Sequence, residues 1–588
     1  MARLLSALCL AVPLVLLLAP PPARAAAPGP GGVPAAWRIE RRLIDVHTHV
    51  GSDPAHLARA IRIMDAAGIG LAVNLGNGTV TAAAGRPSAF QRTKEQAERL
   101  CPGRFLHSMI LDYAGWDEPD FAARAARQIE EGHRLGAAGF KEYKRLGLNL
   151  KDGSGALIRI DDPRLDPVWA RCGELDMPVS IHVGDPKAFW LPYEPANERW
   201  EELRDHPGWW FGDPSKYPAR EELHAARNRV IERHPGTTFI CVHFANNPED
   251  VDAVDRWLDQ YPNMVADLAA RLPELGRHDT DRLQRLFVKH QDRILFGTDF
   301  MVYDEITLGS GGSGPPPTDE DALSFFAKHW RWLETADRDF PHMTPIQGNW
   351  TISAIALPPP VLRKIYFDNA RRIFARSLPP PLLEAASSPH DFLPDGDPGK
   401  AVWRRARPVA IEQTSLDGVP RPELATEVRA LWTSDSLYLL YRCPFTELTA
   451  YEPANPAQER DRLWEKDVVE AFIAPDAARP SRYREFEVAP NGEWVDLDVD
   501  RDAGRFDRTW DSRFRSAVHV DRQARCWTAE LRIPLAALGD APPHPGDTWR
   551  INLYRCDRAH DAFLAWNPTR ARSFHQPERF GLLRFVPR

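Results

Sequence analysis

The stretch Asp45-Val46-His47-Thr48-His49 sets two imidazoles two residues apart, after the apolar pair Leu43-Ile44 and before Gly51. On an extended strand, side chains at i and i+2 leave the same face. His47 and His49 therefore point together, as two ligands of one cation must. Neutral imidazole is a common ligand of zinc-like ions, and open catalytic sites combine several histidines with a carboxylate. The bland alternative for the pair is a solvated strand end. Asp45 also has two readings: a residue that fixes the tautomer of a ligating histidine, or a cap on the strand end.

These residues need elements to position them. From about residue 43 to 378 short apolar runs alternate with amphipathic stretches. The runs at 43–45, 71–75, 104–107, 139–143, 178–182, 238–243, 264–267 and 294–299 read as strands. Between them, Leu57, Ile61 and Met64, and further on Val251, Val254 and Leu258, recur at helical spacing. Strand and helix alternating eight times predict an α/β fold, a (β/α)8 TIM barrel, whose active site gathers at the C-terminal strand ends. His47 and His49 follow the first strand, Lys141 lies in the fourth, and His182, His243 and Asp299 end the fifth, sixth and eighth. Six residues able to bind metal thus converge on one mouth.

This layout resembles the amidohydrolase superfamily. Gly297-Thr298-Asp299 and Ile365-Tyr366-Phe367-Asp368-Asn369-Ala370 are similar to phrases of its amidohydrolase-related branch, which holds both hydrolases and decarboxylases. The resemblance implies one or two divalent ions, zinc first among them, on His47, His49, His182 and Asp299. It gives His243 two roles: a ligand of a second ion, or a group acting on substrate or water in one-metal decarboxylases. Phe140-Lys141-Glu142-Tyr143 is similar to the phrase in which a lysine becomes a carbamate bridging two ions. An ammonium cannot ligate a cation, so that chemistry needs Lys141 neutralised and carboxylated. The alternative is a lysine salt-bridged inside the barrel. Lys144 is a rival, placed to bind an anionic substrate.

The resemblance implies attack by an activated water on a polarised carbonyl, with Asp299 and His243 as catalytic residues and Asp299 relaying the proton. A small-molecule substrate, a lactone, ester or amide, is the expectation; a decarboxylation is the alternative. Arg271, Tyr143 and Lys144, with Phe189 and Trp190 nearby, are the candidate substrate contacts, a guanidinium suiting a carboxylate or sugar acid. A surface salt bridge is the other reading of Arg271. The segment 303–349 contains the run Gly309 to Gly314 and reads as a lid or a mobile loop.

Composition bounds the rest. The chain of 588 residues is 43% hydrophobic and 27% charged, with 74 basic and 82 acidic residues and a net charge of -8. With no basic run, nucleic acid and anionic membranes are not indicated as partners. Residues 1–25, an apolar run broken by Pro13 and closed by Ala23-Arg24-Ala25, read as a signal peptide and imply a periplasmic or secreted protein with no stable membrane span. Residues 26–40 read as a leader segment, 41–378 as the barrel domain, and 379–400, opening on three prolines, as a linker. Six scattered cysteines remain after Cys9, with no CxxC and no readable pairing.

Residues 401–588 change to many strands separated by Pro, Gly and Asp turns, which predicts an antiparallel β-sandwich. The phrases from Trp464 to Glu470, Glu485 to Pro490 and His575 to Gly581 resemble family 9 carbohydrate-binding modules. That resemblance implies a carbohydrate partner, with Trp432, Trp464, Trp494 and Trp566 as candidate sugar platforms. Tryptophans of a sandwich are more often core, and Trp432 lies in a strand pattern. A third possibility is a non-catalytic sugar-binding protein with a degenerate barrel.

Overall fold

The computed structural model describes residues 33–82, 85–539 and 541–587. The expected signal peptide, Cys9 and the first part of the leader lie outside them. Two compact units meet in the chain between Leu378 and Pro379.

In the first unit, eight strands pair in parallel: β1 (Leu43–Val50), β2 (Ile69–Asn74), β3 (Phe105–Met109), β4 (Gly139–Glu142), β5 (Val179–Ile181), β6 (Phe239–Cys241), β7 (Met264–Asp267) and β8 (Ile294–Leu295). Helices cover the outside, with Leu57, Met64, Val251, Val254 and Leu258 buried and Ile61 packed at the edge of the core. Residues 33–39, read from sequence as leader, instead form a helix whose Trp37 packs edge-on against Phe367 at 5.5 Å between ring centroids. One apolar anchor recruits the segment into the barrel.

The eighth strand departs from expectation. Its ladder to β7 stops at Leu295, and after a break β9 (Phe300–Val302) pairs in parallel with β1. Across the break the barrel closes through Val46 N donating to Phe296 O (3.0 Å) and Asp299 N to His47 O (2.9 Å). A buried side-chain clamp reinforces this: Asp45 accepts from Thr298 N (3.1 Å), Thr298 Oγ1 (2.5 Å) and His47 N (3.1 Å). Asp45 therefore bonds no imidazole; it caps its own strand through His47 N and also ties that strand to Thr298. Burial pushes its carboxyl up to about 7, against the pull of the Thr298 hydroxyl and the two backbone donors.

β9 turns back as β10 (Ile306–Leu308), and the chain then runs through the Gly-rich segment. That segment is tied down: Ser313 N and Oγ donate to Asp205 Oδ2 (2.7 and 2.9 Å), His206 Nε2 bonds Gly311 O (2.9 Å), and Ser310 bonds Glu202.

The second unit is a sandwich-like β domain. All its ladders are antiparallel except those of the strand Leu382–Ser387, which lies parallel to both Gly581–Val586 and Thr426–Trp432. The expected linker 379–400 thus contributes a strand, because Leu383 and Ala385 alternate inward and are buried. Trp432 and Trp566 belong to the core, while Trp464 and Trp494 are half-buried. Its cysteines and those of the barrel, six in all among the described residues, are free thiols.

Thr298→Val removes the hydroxyl from the closing clamp at nearly constant volume. Urea unfolding should show a loss of about 1–3 kcal/mol, and an unchanged midpoint would remove the clamp from the account of barrel closure.

Candidate metal centre

The strand ends bring His47, His49, Lys141, His182, His243 and Asp299 into the barrel mouth, all nine-tenths or more buried. The rings of His47 and His243 lie 4.8 Å apart, those of His182 and His243 4.5 Å, and those of His47 and His49 5.4 Å. Ligand atoms of His47, His243 and Asp299 all fall within 4.8 Å of one another. Asp299 Oδ1 stands 3.4 Å from His47 Nε2 and 3.5 Å from His49 Nε2.

Each imidazole spends one nitrogen on an outer partner. His47 Nδ1 bonds Asp267 Oδ2 (2.8 Å), His49 Nδ1 bonds Leu75 O (3.0 Å), His243 Nδ1 bonds Ala269 O (2.8 Å) and His182 Nε2 bonds Gly184 O (2.9 Å). A carbonyl can only accept, so these nitrogens carry the hydrogens and the opposite ones keep lone pairs. Lone pairs of His47 and His49 then face a carboxylate oxygen with no hydrogen between them. Asp299 Oδ1 and Lys141 Nζ have no hydrogen-bond partner although buried. Acceptors converging without a donor, each ring oriented from behind, fit a divalent cation.

Electrostatics favours the neutral, ligating form of the histidines. Burial, then neighbouring charges, holds His49 and His243 well below the usual histidine range, and burial holds His182 at about 3. Burial raises the Asp299 carboxyl and draws the Lys141 ammonium down to about 8, although Asp267 and Asp299 oppose the latter. Lys141 makes no salt bridge; its Nζ lies 5.4 Å from the Tyr143 ring, which stacks on His49 at 6.2 Å.

Local backbone departs from the regular strand to present these groups. His243, Phe244, Ala245 and Asn246 take φ of 56°, 52°, 58° and 52°, a left-handed turn costing roughly 1–2 kcal/mol per residue. Buried bonds hold it: His243 N donates to Asp267 Oδ1 (2.7 Å), Asn246 Nδ2 to Gly184 O (2.8 Å), Val183 N to Asn246 Oδ1 (3.2 Å) and Arg227 Nη1 to Ala245 O (2.6 Å). Asp299 also has a positive φ, 64°. At Gly297 a Cβ would come within 3.1 Å of His47 Cβ and 3.3 Å of Asp267 Cβ, so a larger residue there would press on both side chains.

The substrate contacts expected from sequence are placed unevenly. Arg271 is buried and makes no surface salt bridge; its Nη1 donates to Ala270 O (2.9 Å). Lys144 is paired with buried Asp185 (2.6 Å), whose other oxygen stands 3.5 Å from His182 Nε2. Phe189 is buried in a separate cluster with Leu148, Leu203, Phe211 and Leu223, and half-buried Trp190 packs against that cluster and donates to Pro218 O (3.0 Å). Sequence reasoning missed Asp267 and Asp185. The only signal for Asp267 is an aspartate ending the otherwise apolar run Met264-Val265-Ala266.

Asp267→Asn should weaken divalent-metal binding by about 10- to 100-fold in chelator competition, because it removes the charge that orients His47. Unchanged affinity with an intact fold would take Asp267 out of that role.

Comparison with known proteins adds independent findings. A curated relative, "Extracellular protein" of Arthroderma benhamiae, is 28% identical over 194 residues, covering 30% of this chain and 85% of that protein. Among solved structures, a putative amidohydrolase from Staphylococcus aureus aligns at 16% identity and a TM-score of 0.35, covering 57% of this chain and 99% of that one. A family 9 carbohydrate binding module from Caldicellulosiruptor kristjanssonii, solved with cellotriose, aligns at 14% identity and a TM-score of 0.27, covering 35% and 95%. Residues 395–587 match the "Carbohydrate family 9 binding domain-like" family. Residues 44–376, from the strand bearing the histidine pair to the helix that closes the barrel, match the amidohydrolase family model, and the chain belongs to that family.

Proposed function

We propose that the barrel is a metal-dependent hydrolase acting on a lactone, ester or amide. The observation that carries this reading is the pair of buried, partnerless atoms, Asp299 Oδ1 and Lys141 Nζ, beside inward-facing imidazoles. His47, His49 and His243 through Nε2, His182 through Nδ1, and Asp299 would hold one or two divalent ions, zinc first among the candidates. A cation so held supplies Lewis acidity to a carbonyl oxygen and acidifies water. Asp299 accepts a proton from the attacking water and delivers it to the leaving atom. His243, held from behind by Ala269 O, borders the same space. Lys141 carboxylated at Nζ would add an anionic ligand in a two-ion form. Tyr143 and Arg271 are the substrate-side groups of this reading, Arg271 suiting a carboxylate or sugar acid; Lys144 contacts substrate only in exchange for Asp185.

A second reading, decarboxylation with one ion, keeps His47, His49, His182 and Asp299 as ligands and leaves His243, whose ligand atom lies within 4.8 Å of those of His47 and Asp299, to act on substrate or water. Metal content per chain separates the two. Two ions in the parent and fewer in Lys141→Ala support the carbamate-bridged hydrolase; one ion in both, with carbon dioxide released from an acid substrate, supports decarboxylation. Asp299→Asn should lower turnover by more than about 100-fold in either case, and full activity there would sink the assigned role.

For the second unit we infer carbohydrate binding, supported by the family match at 395–587, and for the whole chain export to the periplasm or beyond, supported by the name of the fungal relative. With Trp432 and Trp566 in the core, the half-buried Trp464 and Trp494 are the remaining platforms, and Trp464, at the edge of a small outer cluster, is the one tested first. Affinity electrophoresis of the full chain in glycan gels should show retardation that Trp464→Ala reduces; free migration through every glycan tested would count against a sugar role.

A further inference from the structure

The loop after β7 and the segment 303–349 meet at one buried carbonyl. Ala270 O accepts from Arg271 Nη1 (2.9 Å) and from Gln347 Nε2 (3.1 Å). Gln347 closes the short turn Pro345–Gln347 and is wholly buried. A carbonyl only accepts, so the amide nitrogen of Gln347 must face it and Oε1 points away. That oxygen has no hydrogen-bond partner although buried. The place is the edge of the metal centre. Ala269 O, one residue back, holds His243 Nδ1 (2.8 Å), Gly309 N donates to Asp299 O (3.2 Å), and a Cβ on Gly309 would stand 3.3 Å from Ala270 Cβ.

Arg271 is a buried cation without an anion. It is 6% exposed, and among the described residues its side chain makes one hydrogen bond, to Ala270 O, and no ion pair. The carboxylates whose charge reaches it, Asp185, Glu202 and Glu249, are each taken by another cation: Lys144 (2.6 Å), Arg199 (2.6 Å) and Arg220 (2.8 Å). Arg199 adds like charge nearby and spends its own on Glu202 and Glu274. A guanidinium stays protonated in proteins and carries its N–H groups in a planar fork, most of which is unspent here. Its charge acts on His243 and Asp299, on the side where substrate must lie.

Arg271 and Gln347 thus offer a donor fork and an acceptor side by side. A carboxylate matches the fork bidentately. The acceptor calls for a donor on the same ligand, next to that carboxylate. An ammonium there would face the charges of Arg271 and Arg199, whereas a hydroxyl is neutral. A carboxylate with a hydroxyl on the adjacent carbon satisfies both groups.

We propose that Arg271 and Gln347 recognise a 2-hydroxy acid of the sugar-acid type, Arg271 taking the carboxylate and Gln347 Oε1 the neighbouring hydroxyl. This specificity rests on the hydrolase reading of the mouth: the substrate is a lactone, ester or amide that carries the acid group apart from the bond cleaved.

The zinc-loaded full chain is titrated calorimetrically with D-gluconate and with 2-deoxy-D-gluconate, and hydrolysis of lactones, esters and amides is assayed in parallel. The parent should bind D-gluconate about tenfold more tightly than the deoxy acid, as one hydrogen bond allows. Gln347→Met, of similar volume, should keep the affinity for the deoxy acid and lose that preference, which a packing defect would not do. Arg271→Gln should weaken both acids by more than about tenfold. A parent that binds neither acid at millimolar concentration, or does not distinguish them, overturns the proposal, as does Arg271→Gln binding like the parent. A preference that survives in Gln347→Met belongs to chelation of the zinc and overturns it too. If Gln347→Met fails to fold, the parent and Arg271→Gln titrations still decide. The expected binding pattern without any hydrolysis would remove the hydrolase reading and leave Arg271 and Gln347 as an acid-binding pair; hydrolysis of neutral lactones without acid binding would do the reverse.

Discussion

The barrel mouth depends on one buried carboxylate. Asp267 accepts from His47 Nδ1, from His243 N and from Ala269 N at 2.8, 2.7 and 3.2 Å. It thereby ties strand one to strand seven across the interior and sets the turn after strand six. Burial alone would raise its carboxyl; His47 and the backbone donors hold it below the usual range. Without this anion, the His47 ring has no fixed tautomer and the left-handed run from His243 to Asn246 loses the first of its restraints. Strained backbone persists where the surroundings over-determine it, and such places gather at functional sites.

A second carboxylate has a different task. Asp45 sits two residues from His47, yet its oxygens are taken up by Thr298 and backbone donors. It closes the barrel where the regular ladder fails, between β1 and the break after β8. The break is useful: it lets Asp299 adopt a positive φ and turn its carboxylate toward the imidazoles instead of along a strand. Closure and presentation of a ligand are thus solved by the same interruption.

The two units treat buried acid in opposite ways. In the barrel, the Asp267 carboxylate is surrounded by donors and Asp299 faces imidazole lone pairs. In the sandwich, three glutamates face one another and burial raises their carboxyls.

The sequence by itself determined the strand-helix alternation, the HxH pair, the gathering of chemistry at strand ends and the change to a β domain. All of these are written in local periodicity and spacing. It could not show which carboxylate orients which histidine: Asp45 is near His47 in sequence, but Asp267, 220 residues away, is its partner. It misread 379–400 as a linker, because the proline run outweighs a short alternating strand that becomes visible only when its neighbours, Gly581–Val586 and Thr426–Trp432, are in place. It offered Lys144 as free when Asp185 already holds it. Periodicity is a property of neighbours along the chain, whereas tautomers, ion pairs and strand partners are set by neighbours in space, and only the tertiary structure decides those.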